Sequence, residues 1–310
     1  MTSLRPVDVT PPDTSADDPR VGHLLGRDLS GGAPPTAVLV GFPSDEGVRR
    51  NGGRPGAAGG PRAIRERLYR LTADPADDRM SSLLRRVRDL GDVAVSGDVE
   101  RDQDALGEAL GPSIADGVFT IVLGGGHETA FGHFLAYARA ARPVSILNWD
   151  AHADVRARRD GLGHSGSPFR QALEHGSGMC RRYTVVGLLP WAVAATHVQY
   201  VLERGGSVVW RDDVSTERIE RLYGDLDAPG LVSFDLDAVD QRDAPGVSAP
   251  AVGGLTADLW LHAAGRAGRC PAVTSAEIVE LNPRFDRDER TARLAALTVW
   301  HLLRGLAHRA

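Results

Sequence analysis

The chain has 310 residues, 42% hydrophobic and 25% charged, a balance that suits a globular protein with one sizeable core. Its 36 basic and 41 acidic residues leave a formal net charge of −5, which argues against nucleic acid or an anionic membrane as the main partner. Only Cys180 and Cys270 are present, and no apolar run resembles a signal-peptide core or reaches the ~20 residues of a membrane span, so a reducing, cytoplasmic location is expected.

Residues 1–35 are rich in Pro, Asp, Gly and Ser, and read as an irregular, partly disordered lead-in. Residues 36–310 read as a single domain, with neither an internal repeat nor a linker. In chain order a strand at 36–42 precedes a helix at 61–72, and a helix at 101–116 precedes a strand at 119–125. A helix at 129–141 and strands at 143–149 and 182–188 follow. The remainder alternates: helix 191–204, strand 206–212, helix 215–226, strand 230–236, helix 256–268, strand 272–278, helix 288–307. The strands are apolar and often β-branched, and the helices show the longer period. Such alternation predicts an α/β fold with a largely parallel sheet covered on both faces.

In open parallel sheets, ligands bind beyond the carboxyl ends of the strands. The run T-I-V-L-G-G-G-H-E places His127 just after one strand, and N-W-D-A-H-A-D-V-R places Asp150, His152 and Asp154 after another. L-V-S-F-D-L-D-A-V-D places Asp235 and Asp237 at the end of a third. Residues two apart in extended backbone point to one side, so each spacing crowds its polar groups onto one spot. Two bare carboxylates ~4 Å apart repel by roughly 4 kcal/mol at an effective dielectric near 20. A cation is expected there. Taken singly, each motif reads more readily as a turn or a helix cap; the three together do not.

If the six side chains share one site, their formal charge of −4 matches two divalent cations. Oxygen-rich ligation with some imidazole and no thiolate suits manganese or magnesium. Two such ions can hold a water between them and make it a nucleophile at neutral pH.

The motifs G-G-G-H-E, D-A-H-A-D and S-F-D-L-D-A-V-D, in this order, resemble those of the ureohydrolases, the family of arginases, agmatinases and formimidoylglutamases. The resemblance spans about residues 36–305, and G-R-P-G-A-A-G-G-P-R-A-I-R (53–65) and E-I-V-E-L-N-P (277–283) fit it as well. It implies a three-layer α/β/α sandwich around a mostly parallel sheet, two Mn2+ per chain and assembly into trimers or hexamers. One manganese would be held by His127, Asp150, Asp154 and Asp235, the other by Asp150, His152, Asp235 and Asp237. Glu280 matches a family glutamate near the reacting nitrogens.

Within the family, Gly126 with Glu128, the loop at 51–61 and H-S-G-S-P-F-R-Q (164–171) are most like formimidoylglutamases. Guanidino hydrolases carry a proton-transferring His where Ser165 stands here; His164 lies one position earlier and faces either the site or solvent. The resemblance implies a small amidine substrate, N-formimidoyl-L-glutamate, cleaved to glutamate and formamide in histidine degradation. Asp154, Glu280 and His164 are the candidate catalytic residues. A substrate with two carboxylates needs donors, for which Arg54, Asn51, Ser165 and Arg170 are the candidates. Two alternatives stay open: a guanidinobutyrase or agmatinase releasing urea, and a metal-binding relative without turnover.

Overall fold

The computed structural model describes residues 4–29 and 32–309. Nine strands form one sheet among these residues. They are β1 (Leu4–Arg5), β2 (Ala37–Phe42), β3 (Val87–Val93), β4 (Phe119–Gly124), β5 (Val144–Trp149), β6 (Cys180–Leu188), β7 (Ser207–Trp210), β8 (Gly230–Asp235) and β9 (Val273–Val279). Their spatial order is β1-β3-β2-β4-β9-β8-β5-β6-β7. Every pairing is parallel except that of β1 with β3.

The helices are α1 (Val21–Leu24), α2 (Glu46–Asn51), α3 (Gly60–Leu68), α4 (Asp78–Leu84), α5 (Val99–Ala115), α6 (Thr129–Arg139) and α7 (Pro168–Leu173), followed by α8 (Ala195–Glu203), α9 (Thr216–Gly224), α10 (Ala257–Arg269) and α11 (Arg290–Ala307). Strand alternation feeds two cores. Leu39, Ile121, Leu147 and Val232 point to a core shared with α3, α9, α10 and α11, whereas their neighbours Val40, Val122, Ile146 and Leu231 point to one shared with α5, α6 and α7. The result is three layers, helices over sheet over helices. Burying side chains such as Leu106, Leu110 and Phe134 contributes roughly 1.5–3 kcal/mol each.

The seven expected strands are all present. Two further strands, β1 and β3, are not apolar runs. Arg88, Asp89 and Asp92 interrupt β3, and its charges are neutralised by Arg65, a buried guanidinium whose Nε lies 2.8 Å from Asp89 and whose Nη1 lies 2.6 Å from Asp92. The lead-in carries β1 and α1; residues 1–3, 30 and 31 of it lie outside the described residues.

The chain leaves β4 on one side of the sheet and enters β5 three positions away, and β8 and β9 later fill the gap. The carboxyl ends of β4, β9, β8 and β5 therefore lie side by side. This is the switch point at which ligands bind in such sheets.

Candidate active site

Each of the four central strands delivers polar groups at its carboxyl end. After β4 the chain turns tightly through Gly125, where a Cβ would fall 1.8 Å from the Ser44 carbonyl oxygen, so only glycine fits. His127 follows. Asp150, His152 and Asp154 follow β5, Asp235 ends β8, Asp237 sits in the next turn, and Glu280 follows β9. Asp154 and Glu280 are held at φ 45° and 68°, conformations that cost of order 1–3 kcal/mol each and gather at functional sites.

The six expected ligands assemble into two groups that share Asp150: His127, Asp150, Asp154 and Asp235 in one, Asp150, His152 and Asp237 in the other. His127 Nδ1 lies 3.4, 3.0 and 2.8 Å from carboxylate oxygens of Asp150, Asp154 and Asp235. His152 Nδ1 lies 3.4 Å from Asp150 Oδ1 and 3.1 Å from Asp237 Oδ2. Asp150 thus turns Oδ2 to one group and Oδ1 to the other. Asp235, expected in both, falls within the first alone, and its Oδ1 accepts the backbone N–H of Asp237 at 2.9 Å.

Electrostatics shows what such crowding does without a cation. Burial pushes the Asp235 carboxyl well up, helped by the charges of Asp237 and Asp150. Burial also lifts Asp237 to about 6. The Asp237 carboxylate holds His152 up at about 12. Burial opposes charge on both His127 and Asp150. The Asp235 charge and hydrogen bonds nevertheless raise His127, and hydrogen bonds from the two histidines hold Asp150 down.

The residues fit a pair of metal ions better than they fit protons. His127 Nε2 lies 2.9 Å from the Ser233 hydroxyl, which can accept a hydrogen bond from that nitrogen; in that tautomer Nδ1 would carry a lone pair. Nδ1 would turn that lone pair to three carboxylates, and Asp237 Oδ1 is buried without a hydrogen-bond partner. A cation satisfies both. Imidazole nitrogen with several carboxylates and no sulfur is a donor set suited to manganese.

A cavity of about 190 Å3 opens on these groups, and His152, Asp154, Asp235 and Asp237 form part of its wall. Glu280, Asn51 and Ser165 line it too. Glu280 Oε1 accepts the His127 backbone N–H at 2.7 Å, and Ser248 Oγ donates to Oε2. Burial and the Asp237 charge push Glu280 up to about 7, against the Ser248 hydrogen bond. Asn51 Nδ2 donates to Ser165 Oγ at 3.2 Å.

Three expected site residues are placed elsewhere. Arg54 donates from Nε to the Ser248 carbonyl at 3.1 Å and from Nη2 to that of Val247, with its guanidinium over the Phe285 ring. It braces the segment carrying Ser248 instead of entering the cavity. Arg170 pairs with Glu174 at 3.0 Å and lies over Tyr200. His164 is buried, with Nδ1 accepting the Gly166 N–H at 3.1 Å and Nε2 3.1 Å from the Ala157 carbonyl oxygen. Burial lowers its pKa. Both ring nitrogens are committed to its own loop, so the ring faces neither the ligand groups nor solvent.

Three side chains not singled out from the sequence take their places. Ser233 orients His127, and its signal was available, since it lies two residues before Asp235 on one strand. Phe169 sets its ring edge-on to His127 at 5.1 Å. Arg156, the last residue of N-W-D-A-H-A-D-V-R, lines the cavity mouth.

Comparison with known proteins agrees with this geometry. The family model described as the arginase family matches residues 35–304. The chain belongs to the arginase family. It is 39% identical over 299 residues to a formimidoylglutamase of Rhodococcus jostii, covering 91% of this chain and 89% of that one. It is 36% identical over 290 residues to a formimidoylglutamase of Chromobacterium violaceum, with 89% of each covered. A Trypanosoma cruzi formiminoglutamase solved with Mn2+ superposes with a TM-score of 0.86 at 34% identity, covering 95% of this arginase-family chain and 100% of that structure. No helix among the described residues is long and apolar enough to cross a membrane.

Proposed function

We propose that this protein is a dinuclear manganese hydrolase that cleaves N-formimidoyl-L-glutamate to L-glutamate and formamide, a step of histidine degradation. The observation that carries the reading is the pair of ligand groups sharing Asp150 at the floor of a cavity that Glu280 also lines. His127, Asp150, Asp154 and Asp235 would hold one ion, Asp150, His152 and Asp237 the other. Bound manganese supplies Lewis-acid charge and makes water nucleophilic at neutral pH.

The chain's own groups do the rest. Asp154, at the cavity edge, orients the nucleophile toward the formimidoyl carbon. Glu280 retains acceptor capacity beyond its two hydrogen bonds, and takes charge-assisted bonds from the amidine nitrogens. Water adds to the formimidoyl carbon, the bond from that carbon to the glutamate nitrogen breaks, and that nitrogen leaves protonated as the amine of L-glutamate. The other nitrogen stays on carbon as formamide.

The choice of substrate within the family rests on two features. Ser165, and no histidine, lines the cavity at that loop, and His164 is turned into its own loop. Gly126 and Glu128 interlock, because a Cβ on Gly126 would lie 2.2 Å from Glu128 Oε2. Cytoplasmic residence and assembly into trimers or hexamers belong to the same proposal, and sedimentation of the loaded protein tests the assembly.

The deciding experiment offers manganese-loaded protein N-formimidoyl-L-glutamate, arginine, agmatine and 4-guanidinobutyrate, and measures formamide, urea and ammonia together. Glutamate and formamide are expected, with guanidino compounds at least about a hundredfold poorer, since Ser165 stands where guanidino hydrolases carry a proton-transferring histidine and general acid–base groups are worth about that much. Efficient urea release would overturn the substrate and leave the dinuclear hydrolase standing.

A further inference from the structure

The proposed substrate carries two carboxylates, and the ligand groups are themselves rich in carboxylate. Two divalent ions would only balance their own ligands, so the substrate's carboxylates need a cationic partner of their own. Of the arginines around the mouth, Arg54 is bound to backbone carbonyls and Arg170 to Glu174. Arg50 is paired with Glu100 at 2.9 Å. Arg156 is the one guanidinium on the cavity wall among the described residues.

Its surroundings hold it in place without neutralising it. The Arg156 backbone N–H donates to the Gly166 carbonyl at 2.9 Å. Its Nη1 donates to Asn51 Oδ1 at 3.1 Å, and Asn51 Nδ2 in turn donates to Ser165 Oγ. Among the described residues no carboxylate pairs with it, and the side chain is exposed. Gly166 leaves the room required: a Cβ there would lie 2.9 Å from Asn51 Nδ2 and 3.0 Å from Arg156 Cδ. A guanidinium offers five N–H donors in a fixed fork that matches a carboxylate in bidentate fashion. A fork free of any carboxylate, braced by a neutral amide and lining the same cavity as ligand groups, is suited to take a carboxylate from outside.

We infer that Arg156, positioned by Asn51 and Gly166, binds a carboxylate of the substrate and is the residue that makes the site select a carboxylate-bearing amidine. This rests on the hydrolase reading above. Ser165 completes the same corner and contributes a hydroxyl to it.

The test compares wild-type, Arg156→Lys, Arg156→Ala and Asn51→Ala proteins, each loaded with manganese. Kinetics are measured on N-formimidoyl-L-glutamate and on N-formimidoylpropylamine, which has no carboxylate. L-Glutamate binding is measured by calorimetry, and metal content by elemental analysis. Arg156→Ala is expected to lower kcat/KM on N-formimidoyl-L-glutamate roughly ten- to hundredfold, mainly through KM, as befits loss of one charge-assisted hydrogen-bonded pair. Its turnover of the carboxylate-free amidine should stay within about twofold of wild type, with metal content unchanged. L-Glutamate binding should weaken in parallel, Arg156→Lys should fall between, and Asn51→Ala should show a smaller loss of the same kind. Equal losses on both amidines, or unaltered L-glutamate binding in Arg156→Ala, would overturn the inference, as would a wild-type protein that binds no L-glutamate. A wild-type protein that binds L-glutamate through Arg156 but cleaves no N-formimidoyl-L-glutamate would overturn the proposed function and uphold this inference.

Discussion

The Ser233 hydroxyl lies 2.9 Å from Nε2 of His127, and this contact decides which ring nitrogen meets the carboxylates. A proton on Nε2, donated to Ser233, would leave Nδ1 free to bind a cation, and the ring is fixed between Ser233 and the edge-on ring of Phe169. Partners of this kind set the tautomer and orientation of a metal-binding imidazole, and losing one typically costs ten- to a hundredfold in metal affinity or activity.

Ser233→Ala should therefore weaken manganese binding about tenfold or more while the fold survives, since only the hydroxyl oxygen is removed and Cβ stays in place. Titration of metal-free protein with manganese, read by calorimetry, gives the affinity, and circular dichroism gives the fold. Wild-type affinity in Ser233→Ala would show that His127 needs no such support.

Asp150 faces both groups, so its removal should be felt by both. Asp150→Ala should lose both ions, whereas His127→Ala and Asp237→Ala should each lose mainly one. Asp235 enters one group only, and Asp235→Ala should resemble His127→Ala. Elemental analysis of the purified proteins separates these outcomes. Two manganese per chain in Asp150→Ala would mean the groups are wrongly drawn.

The reach of the sequence can be judged residue by residue. The central strands were legible because both faces are covered, which makes β4, β5, β8 and β9 continuous apolar runs. The ligands were legible because a spacing of two at a strand end fixes a common side. The strand β3 was hidden by Asp89 and Asp92, whose charges are tolerable only because Arg65, distant in sequence, comes to meet them. The helices α2 and α7 were hidden in glycine- and proline-rich loops, although Pro168 at a first helical position is itself a start signal. The exchange of Arg54 for Arg156 was not legible at all. Local sequence gives both arginines equal claims, and the outcome depends on the Val247 and Ser248 carbonyls capturing one of them.

Metal loading should displace protons, and the sign follows from the shifts. With Asp237 holding His152 up at about 12, the ring is protonated at pH 7 in metal-free protein. A metal needs its lone pair, so that proton must leave. Below pH 7 Asp237, lifted by burial to about 6, begins to hold a second. Affinity should thus fall as pH falls, by about one decade per pH unit for each proton released. Calorimetry at pH 7 in buffers of different ionisation enthalpy should count at least one proton per pair of ions bound. An affinity flat from pH 8 to pH 6 would contradict this account of the site's charge.

Glu128 gives the last prediction, and it separates shape from charge. Its carboxyl is buried against Gly126 and Gly47, where Oε1 accepts the Gly47 N–H at 2.9 Å and the Ser44 hydroxyl at 3.2 Å. Burial, with the Glu280 charge, pushes it up to about 8, so at pH 7 the group is largely neutral and serves through its shape and its acceptor. Glu128→Gln keeps both and should change stability by less than about 1 kcal/mol. Glu128→Ala leaves a buried N–H and a hydroxyl unpaired, costing about 1–3 kcal/mol for each unsatisfied group, and opens a cavity besides. Because Gly47 lies in α2, which ends at Asn51, the alanine variant should also raise KM by disturbing the corner where Asn51 holds Arg156. Urea denaturation and steady-state kinetics on the two variants read both effects. If glutamine proves as damaging as alanine, a carboxylate charge at Glu128 is required, and the neutral reading of this interlock falls.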